Sequence, residues 1–183
     1  MIWYRSRAFL IMAGVALLAG AALLVWLFVI SDDGEADRGV SVGIEEPVEA
    51  SESDLVALSG QVGHPIYWIG QQAGTTLEVT RLSKGEVFVR YVDDDAAIGD
   101  RKPRFLSVGT YPLKNAYEVL GQVAENEGVQ VESSNGALVV QDEKAPQSVY
   151  LAYPDQDLQI EVYDPDPERA LDVATSEELG PLN

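Results

Sequence analysis

The chain contains one histidine, His64, so any mechanism that uses an imidazole base must use this residue. There is no cysteine, which excludes thiol chemistry, and zinc sites need several Cys or His ligands. His64 stands between Gly63 and Pro65, a pair that predicts the end of a helix followed by a turn. We therefore interpret His64 as a turn or helix-cap residue, and the sequence predicts no catalytic residue.

The densest acidic cluster of the folded part consists of Asp93, Asp94, Asp95 and Asp100. Calcium takes several oxygen ligands, so these four residues are candidate metal ligands. The spacing does not match an EF-hand loop, because the glycine and the final glutamate of that motif are missing. Three basic residues follow Asp100 within four positions. A solvated loop that neutralises itself by surface ion pairs is the main interpretation, and a calcium-dependent module is an alternative.

A second acidic set surrounds the two Asp-Pro steps at Asp164-Pro165 and Asp166-Pro167. Aspartate accepts backbone hydrogen bonds in turns, and proline suits the first turn of a helix, so these steps predict a turn and a helix start. Paired carboxylates can also cleave glycosidic bonds, where their separation decides the stereochemistry. An envelope hydrolase that uses paired carboxylates is therefore a second alternative.

Two tyrosines, Tyr150 and Tyr163, lie on predicted strand faces opposite the aliphatic residues. Exposed aromatic side chains often anchor a protein partner or stack on a sugar, so we predict that these two contact a partner. The glycines do not form a phosphate-binding loop, and the sequence predicts no cofactor.

An uncharged run of 23 residues, 8–30, predicts where these groups work. At about 1.5 Å per residue, a helix of this length spans a hydrocarbon core of roughly 30 Å. Arg5 and Arg7 precede the run, and four acids follow it closely, so the short N-terminus of residues 1–7 is predicted to be cytoplasmic and the bulk of the chain to lie outside. Small residues lie within the run rather than after it, which favours an uncleaved signal anchor; cleavage near Ser31 is the alternative.

The charge of the chain is strongly asymmetric about this anchor. Of the 12 basic residues, two arginines precede the anchor and ten follow it, whereas all 30 acidic residues follow it, which gives −20 beyond Ile30. This charge argues against nucleic acid as a partner. Residues 31–53 hold eight of the acids and no aromatic residue, so they predict a disordered linker with ends about 25 Å apart.

The remaining residues, 54–183, predict one extracytoplasmic α+β domain. The expected elements are a helix over 55–62, strands over 66–69, 75–82, 86–92 and 104–109, a helix over 112–126, strands over 129–132, 137–141, 148–153 and 158–163, and a helix over 167–174 before a loosely held tail. Neighbouring strands are joined by hairpin turns, so the sheet is predicted to be mostly antiparallel. Alternation of apolar and polar residues from Leu158 to Tyr163 predicts a sheet that is covered on one face only.

Four stretches carry a resemblance, namely Pro65-Ile-Tyr-Trp-Ile-Gly70, Val87-Phe-Val-Arg-Tyr91, Leu106-Ser-Val-Gly-Thr-Tyr-Pro112 and Glu161-Val-Tyr-Asp-Pro165. They are similar to a group of uncharacterised single-pass membrane proteins of high-GC Gram-positive bacteria. The resemblance covers about residues 65–174 and implies a cell-envelope setting, without implying an activity. Together these observations predict a membrane-anchored extracytoplasmic binding or interaction module, with a protein or the cell wall as its partner.

Overall fold

The computed structural model describes residues 46–132, 135–142 and 144–182. The predicted lead, the predicted transmembrane helix at 8–30 and the first part of the predicted linker lie outside the described residues. Within the described ranges, no helix has both the length and the apolar composition that a membrane span requires.

The described chain folds into ten strands and three helices. The strands are β1 (Val48–Glu49), β2 (Tyr67–Trp68), β3 (Thr75–Arg81), β4 (Val87–Asp93), β5 (Ser107–Pro112), β6 (Gly128–Glu132), β7 (Leu138–Asp142), β8 (Ser148–Ala152), β9 (Leu158–Tyr163) and β10 (Gly180–Pro181); the helices are α1 (Glu52–Val62), α2 (Ala116–Glu127) and α3 (Pro167–Thr175). Eight strands form one antiparallel sheet in the order β1-β3-β4-β5-β9-β8-β7-β6, and β2 pairs with β10 in a small second sheet. The predicted α+β class, with a mostly antiparallel sheet and three helices, is confirmed.

The folded domain begins earlier than its predicted start at Asp54. Val48 pairs with Val79, and the Ala50 N–H donates to the Leu77 carbonyl at 2.9 Å, so the end of the predicted 31–53 linker is ordered beside β3. Ser51 caps α1. Its hydroxyl accepts the Asp54 N–H at 3.3 Å, while the Asp54 carboxylate accepts the Ser51 N–H at 2.8 Å. This reciprocal capping box satisfies two of the N–H groups that a helix start leaves unpaired.

The predicted boundary between the fourth strand and the second helix is wrong. Pro112 was expected in the first turn of a helix, but it is the last residue of β5 and pairs with Leu158. Asn115 adopts a positive φ of 54°, and its carbonyl accepts the first helical N–H, that of Val119, at 3.0 Å. Proline cannot donate to a ladder, so a strand end suits it as well as a helix start, and its presence alone does not distinguish the two.

Both faces of the large sheet are covered, contrary to the prediction of one covered face. On the first face, α1 and α3 pack over the main core, whose fully buried members include Leu55, Ile160 and Ala170. On the second face, α2 covers the β6 end through a separate cluster of Ala116, Leu120, Leu138, Val140 and Ala152. The polar alternation of β9 therefore marks a second packed interface rather than a solvent face.

An ion pair with a fully buried carboxylate holds the β4–β5 connection, residues 94–106, against the β3–β4 part of the second face. The Glu78 side chain is fully buried on β3, and Arg90 on β4 donates to its Oε1. The Gly99 N–H donates to Glu78 Oε2 at 2.5 Å, and Arg90 Nη2 donates to the Asp100 carbonyl at 2.7 Å. The Arg90 guanidinium also lies 5.3 Å from the centre of the Phe105 ring. These contacts fix the acidic loop to the sheet.

The C-terminal segment is also held in place, although a loosely held tail was predicted. Gly180 and Pro181 pair with Trp68 and Tyr67, and the Leu182 N–H donates to the Ile66 carbonyl at 2.8 Å. Leu179 belongs to the main core. This pairing brings Pro181 beside residues that lie more than a hundred positions earlier in the chain.

Candidate functional site

An open cleft of about 490 Å³ lies where the end of α1, the end of β5, the β8–β9 turn and β10 meet. Its lining comprises Gly63, His64, Pro65, Tyr67, Pro112, Gln156, Asp157, Leu158 and Pro181. Its volume falls within the roughly 300–1,000 Å³ of ligand sites. Three of the lining residues are exposed prolines that come from three separate parts of the sequence. We call this site the His64 cleft.

His64 is fixed in the wall of the cleft by two backbone carbonyls. Its Nδ1 lies 2.9 Å from the Pro65 carbonyl oxygen, and its Nε2 lies 2.8 Å from the Gly85 carbonyl oxygen. A carbonyl oxygen only accepts, so a ring nitrogen that carries a proton donates to the carbonyl that it faces. The ring therefore connects the α1–β2 junction to the β3–β4 turn.

Gln156 and Asp157 supply the polar groups of the opposite wall. The Tyr67 hydroxyl donates to Gln156 Oε1 at 2.9 Å, which orients the amide group. Burial raises the pKa of Tyr67, whose ring stacks on that of Tyr153 with the ring centres 5.7 Å apart. Asp157 Oδ1 accepts the Asn115 N–H at 2.9 Å. Both side chains are thus held in position before any ligand arrives.

The predicted metal ligands Asp93, Asp94, Asp95 and Asp100 lie in the loop that starts at the end of β4. Asp94 Oδ1 accepts the Thr76 hydroxyl at 3.2 Å. The two Asp100 oxygens accept the Lys102 N–H at 3.0 Å and an Arg104 N–H at 3.1 Å. The Lys102 N–H and the Arg104 side chain lower the pKa of Asp100. Within the described residues, no three His, Cys, Asp or Glu side chains are placed to share a metal ion.

The predicted partner contacts Tyr150 and Tyr163 are half-buried rather than exposed. Tyr150 packs beside the cluster under α2, and burial raises its pKa, helped by the charge of Glu161. The Tyr163 hydroxyl donates to the Pro103 carbonyl at 3.0 Å, below the β4–β5 connection. Both residues lie on the second sheet face, as the alternation implied. They are only half exposed there, because Tyr150 packs beside the cluster under α2 and Tyr163 bonds to the β4–β5 connection.

A polar cluster centred on Glu161 lies in the middle of the sheet and was not predicted from the sequence. Glu161 Oε1 accepts the Ser148 hydroxyl at 2.8 Å, Oε2 accepts the Tyr111 hydroxyl, and Tyr150 also bonds to the carboxyl group. Burial raises the pKa of Glu161, while the three hydroxyl groups act in the opposite direction. A charged residue between Ile160 and Val162 was a signal, but only the pairing of β9 with β5 and β8 shows its partners.

Gly109 gives this Glu161 cluster its geometry. It lies opposite Glu161 on β5, and the Tyr111 ring lies across it. A Cβ at this position would come within 2.9 Å of Tyr111 Cε2 and within 3.2 Å of Phe88 Cε1. The Phe88 and Tyr111 rings meet edge to face, with centres 5.4 Å apart. A side chain at 109 would push the tyrosine away from the carboxylate.

The His64 cleft and the Glu161 cluster differ in what they offer to a ligand. The cleft is concave and has exposed walls with polar groups held in place, whereas the hydroxyl groups of the Glu161 cluster already occupy both oxygens of its carboxyl group. The cleft is therefore the stronger candidate site. No protein-family model matches the chain, and no curated protein or solved structure is significantly similar to it.

Proposed function

We propose that the chain is a signal-anchored membrane protein whose folded domain lies outside the cell membrane and binds a partner protein through the His64 cleft. Residues 8–30 form the anchor, residues 1–7 stay in the cytoplasm, and the acidic linker extends the domain from the bilayer. The apolar run, the two arginines before it and the acids after it support this arrangement. The resemblance to single-pass envelope proteins supports the same setting.

The observation that carries the binding role is the way in which the cleft is built. Exposed prolines from three regions form its walls, and a proline has no side-chain entropy to lose when a ligand covers it. The one imidazole directs its ring nitrogens to backbone carbonyls rather than to a reacting group. A preorganised surface of this kind favours binding.

The orientation can be tested by cysteine labelling, because the natural chain has no cysteine and every introduced thiol is unique. Ser83→Cys lies at the exposed β3–β4 turn, and Ser6→Cys lies in the predicted cytoplasmic lead. In intact cells, a membrane-impermeant maleimide is expected to label Ser83→Cys and to leave Ser6→Cys unlabelled until the cells are lysed. The reverse pattern, or release of the domain into the medium, would refute the anchored arrangement.

The binding role can be tested by photo-crosslinking in the same cells. A benzophenone amino acid replaces Pro112 in the cleft, with exposed Glu118 on α2 as the matched control position. We expect a discrete adduct from position 112 that is absent from position 118. Gln156→Ala should remove the adduct, whereas Asp94→Ala should not. An adduct that survives Gln156→Ala, or that forms equally at position 118, would show that the cleft is not the contact surface.

The Glu161 cluster favours a second candidate, the envelope hydrolase with paired carboxylates. A carboxyl group with a raised pKa can act as a general acid, and Glu161 has this property. Hydrolysis would also require a second carboxylate facing the same substrate. Release of soluble fragments from purified cell wall by the natural protein, but not by Glu161→Gln, would establish this activity in place of a pure binding role.

A further inference from the structure

The polar groups of the His64 cleft accept hydrogen bonds more readily than they donate them. Pro65, Pro112 and Pro181 have no N–H group to offer. Asp157 keeps Oδ1 on the Asn115 N–H, and among the described residues no donor engages its Oδ2. In this wall, the side-chain group that can donate a hydrogen bond to a ligand is the Gln156 amide. A ligand that brings N–H donors therefore suits the cleft better than one that brings acceptors.

The charge of the protein points in the same direction. The chain beyond residue 30 carries −20, and Asp155 lies exposed in the same turn as Asp157. A surface of this sign attracts cations and repels anionic ligands over roughly a Debye length, about 8 Å at physiological salt. The His64 ring offers no ring nitrogen to an anionic ligand, because both nitrogens face backbone carbonyls.

The apolar walls select among cations. A guanidinium group is planar and weakly hydrated, so it can lie against flat apolar surfaces such as proline rings while it binds a carboxylate. A lysine ammonium group is compact and strongly hydrated, so it gains less from such walls. Leu158, a buried residue of the cleft lining, can pack against the methylene groups of an arginine side chain.

We infer that the His64 cleft recognises an arginine side chain on an exposed segment of a partner protein, with Asp157 as the carboxylate that binds it. This inference rests on the proposed binding role of the cleft. The guanidinium group donates to Asp157 Oδ2, its plane lies against the proline walls, and the Gln156 amide binds a carbonyl group of the partner backbone.

The test uses the full chain in nanodiscs of zwitterionic phosphatidylcholine, which do not themselves attract a cationic peptide. The probes are the acetylated, amidated peptide Gly-Leu-Arg-Leu-Gly and the same peptide with citrulline, which keeps the shape of arginine and removes its charge. Ligand-observed NMR titration measures both affinities. We expect the arginine peptide to bind about three to five times more tightly, since exposed ion pairs contribute up to about that factor.

Two matched variants identify the carboxylate. Asp157→Asn keeps the oxygen that accepts the Asn115 N–H, so the turn should remain folded while the preference for arginine over citrulline falls to about one. Asp155→Asn removes an exposed charge two positions away, and asparagine tolerates the positive φ of 62° at that position. This control should keep the preference.

The outcomes separate this inference from the proposed function. Equal binding of the two peptides, a preference that survives Asp157→Asn, or no binding of either peptide up to about 5 mM would each overturn recognition of arginine. The crosslink from position 112 would still stand in those cases. If instead that crosslink survives Gln156→Ala or forms equally at position 118, the proposed binding role of the cleft fails. Asp157→Asn must show the same unfolding temperature as Asp155→Asn for the comparison to count.

Discussion

Removal of Arg90 should destabilise the domain far more than removal of any exposed arginine, because it leaves the Glu78 carboxylate buried without a counter-charge. The Glu78 side chain has no solvent exposure, whereas that of Arg90 is 17% exposed. Arg90→Met keeps a chain of similar length and removes the guanidinium group. The variant also loses the hydrogen bond to the Asp100 carbonyl and the contact with the Phe105 ring.

The expected loss can be estimated from these contacts. Breaking a buried ion pair by removing one partner costs about 3–5 kcal/mol. The Gly99 N–H continues to donate to Glu78 Oε2 and offsets part of this cost, so we expect about 3–4 kcal/mol. In the opposite variant, Glu78→Met, Arg90 can still reach water and the Asp100 carbonyl, so we expect a smaller loss of about 1–3 kcal/mol.

Thermal unfolding of the full chain in detergent, followed by near-UV circular dichroism, measures these changes. At about 3–5 °C per kcal/mol for a domain of this size, Arg90→Met should unfold about 9–20 °C below the natural protein. The control is Arg101→Met, an exposed arginine in the same loop, which should change the stability by less than about 0.5 kcal/mol. The double variant Glu78→Met/Arg90→Met should recover part of the loss. An Arg90→Met variant as stable as Arg101→Met, or a double variant whose loss equals the sum of the two single losses, would show that Glu78 and Arg90 do not stabilise the domain as a pair.

Three further predictions concern the second sheet face and the acidic loop. Gly109→Ala should lower the free energy of unfolding by about 1–3 kcal/mol, because the new Cβ would overlap the Tyr111 ring. The control, Gly60→Ala, lies in a helix with open space around it and should raise the free energy of unfolding by about 0.5–1 kcal/mol. Equal effects of the two variants in thermal unfolding would contradict the predicted overlap. Burial raises the pKa of Glu161 above 4.5, so the folded state binds the carboxyl proton more tightly than the unfolded state does. The stabilisation that comes from this proton is therefore lost as the pH rises through the raised pKa. Glu161→Gln should remove that part of the pH dependence, and parallel stability curves for the two proteins from pH 4 to 8 would disprove it. Because Asp100 and Asp94 already accept hydrogen bonds from their own loop and from Thr76, about 5 mM calcium should leave the unfolding temperature unchanged, whereas a clear rise would restore the calcium-dependent alternative.

Local signals in the sequence identify most elements of the fold. Ser83-Lys84-Gly85 and Asn135-Gly136 are local turn signals of the kind that join two antiparallel strands, and the strands on either side of each are paired. The Gly63 stop of the first helix is also confirmed, with the glycine in the left-handed conformation. These features depend on residues close together in the chain, and for that reason they can be read from the sequence.

The candidate sites depend on contacts between distant residues. Pro65, Pro112 and Pro181 each look like an ordinary breaker of regular structure, and only the pairing of β2 with β10 and the end of β5 brings them together. Likewise, the strand that carries Glu161 looked half solvated because alternation shows which residues share a face, not whether a helix or loop covers that face. The cover by α2 and by residues 94–106 is a property of the tertiary structure.

The placement of β10 has a consequence for the time at which the protein becomes competent to bind. This strand follows every other element of the described residues, and its Pro181 completes a wall whose other parts were synthesised long before. A domain that emerges from its N-terminal side can form the large sheet first, but the cleft stays open on one side until residues 180–182 dock beside β2. Under the proposed binding role, a partner meets a finished cleft only on a domain whose residues 180–182 have already docked.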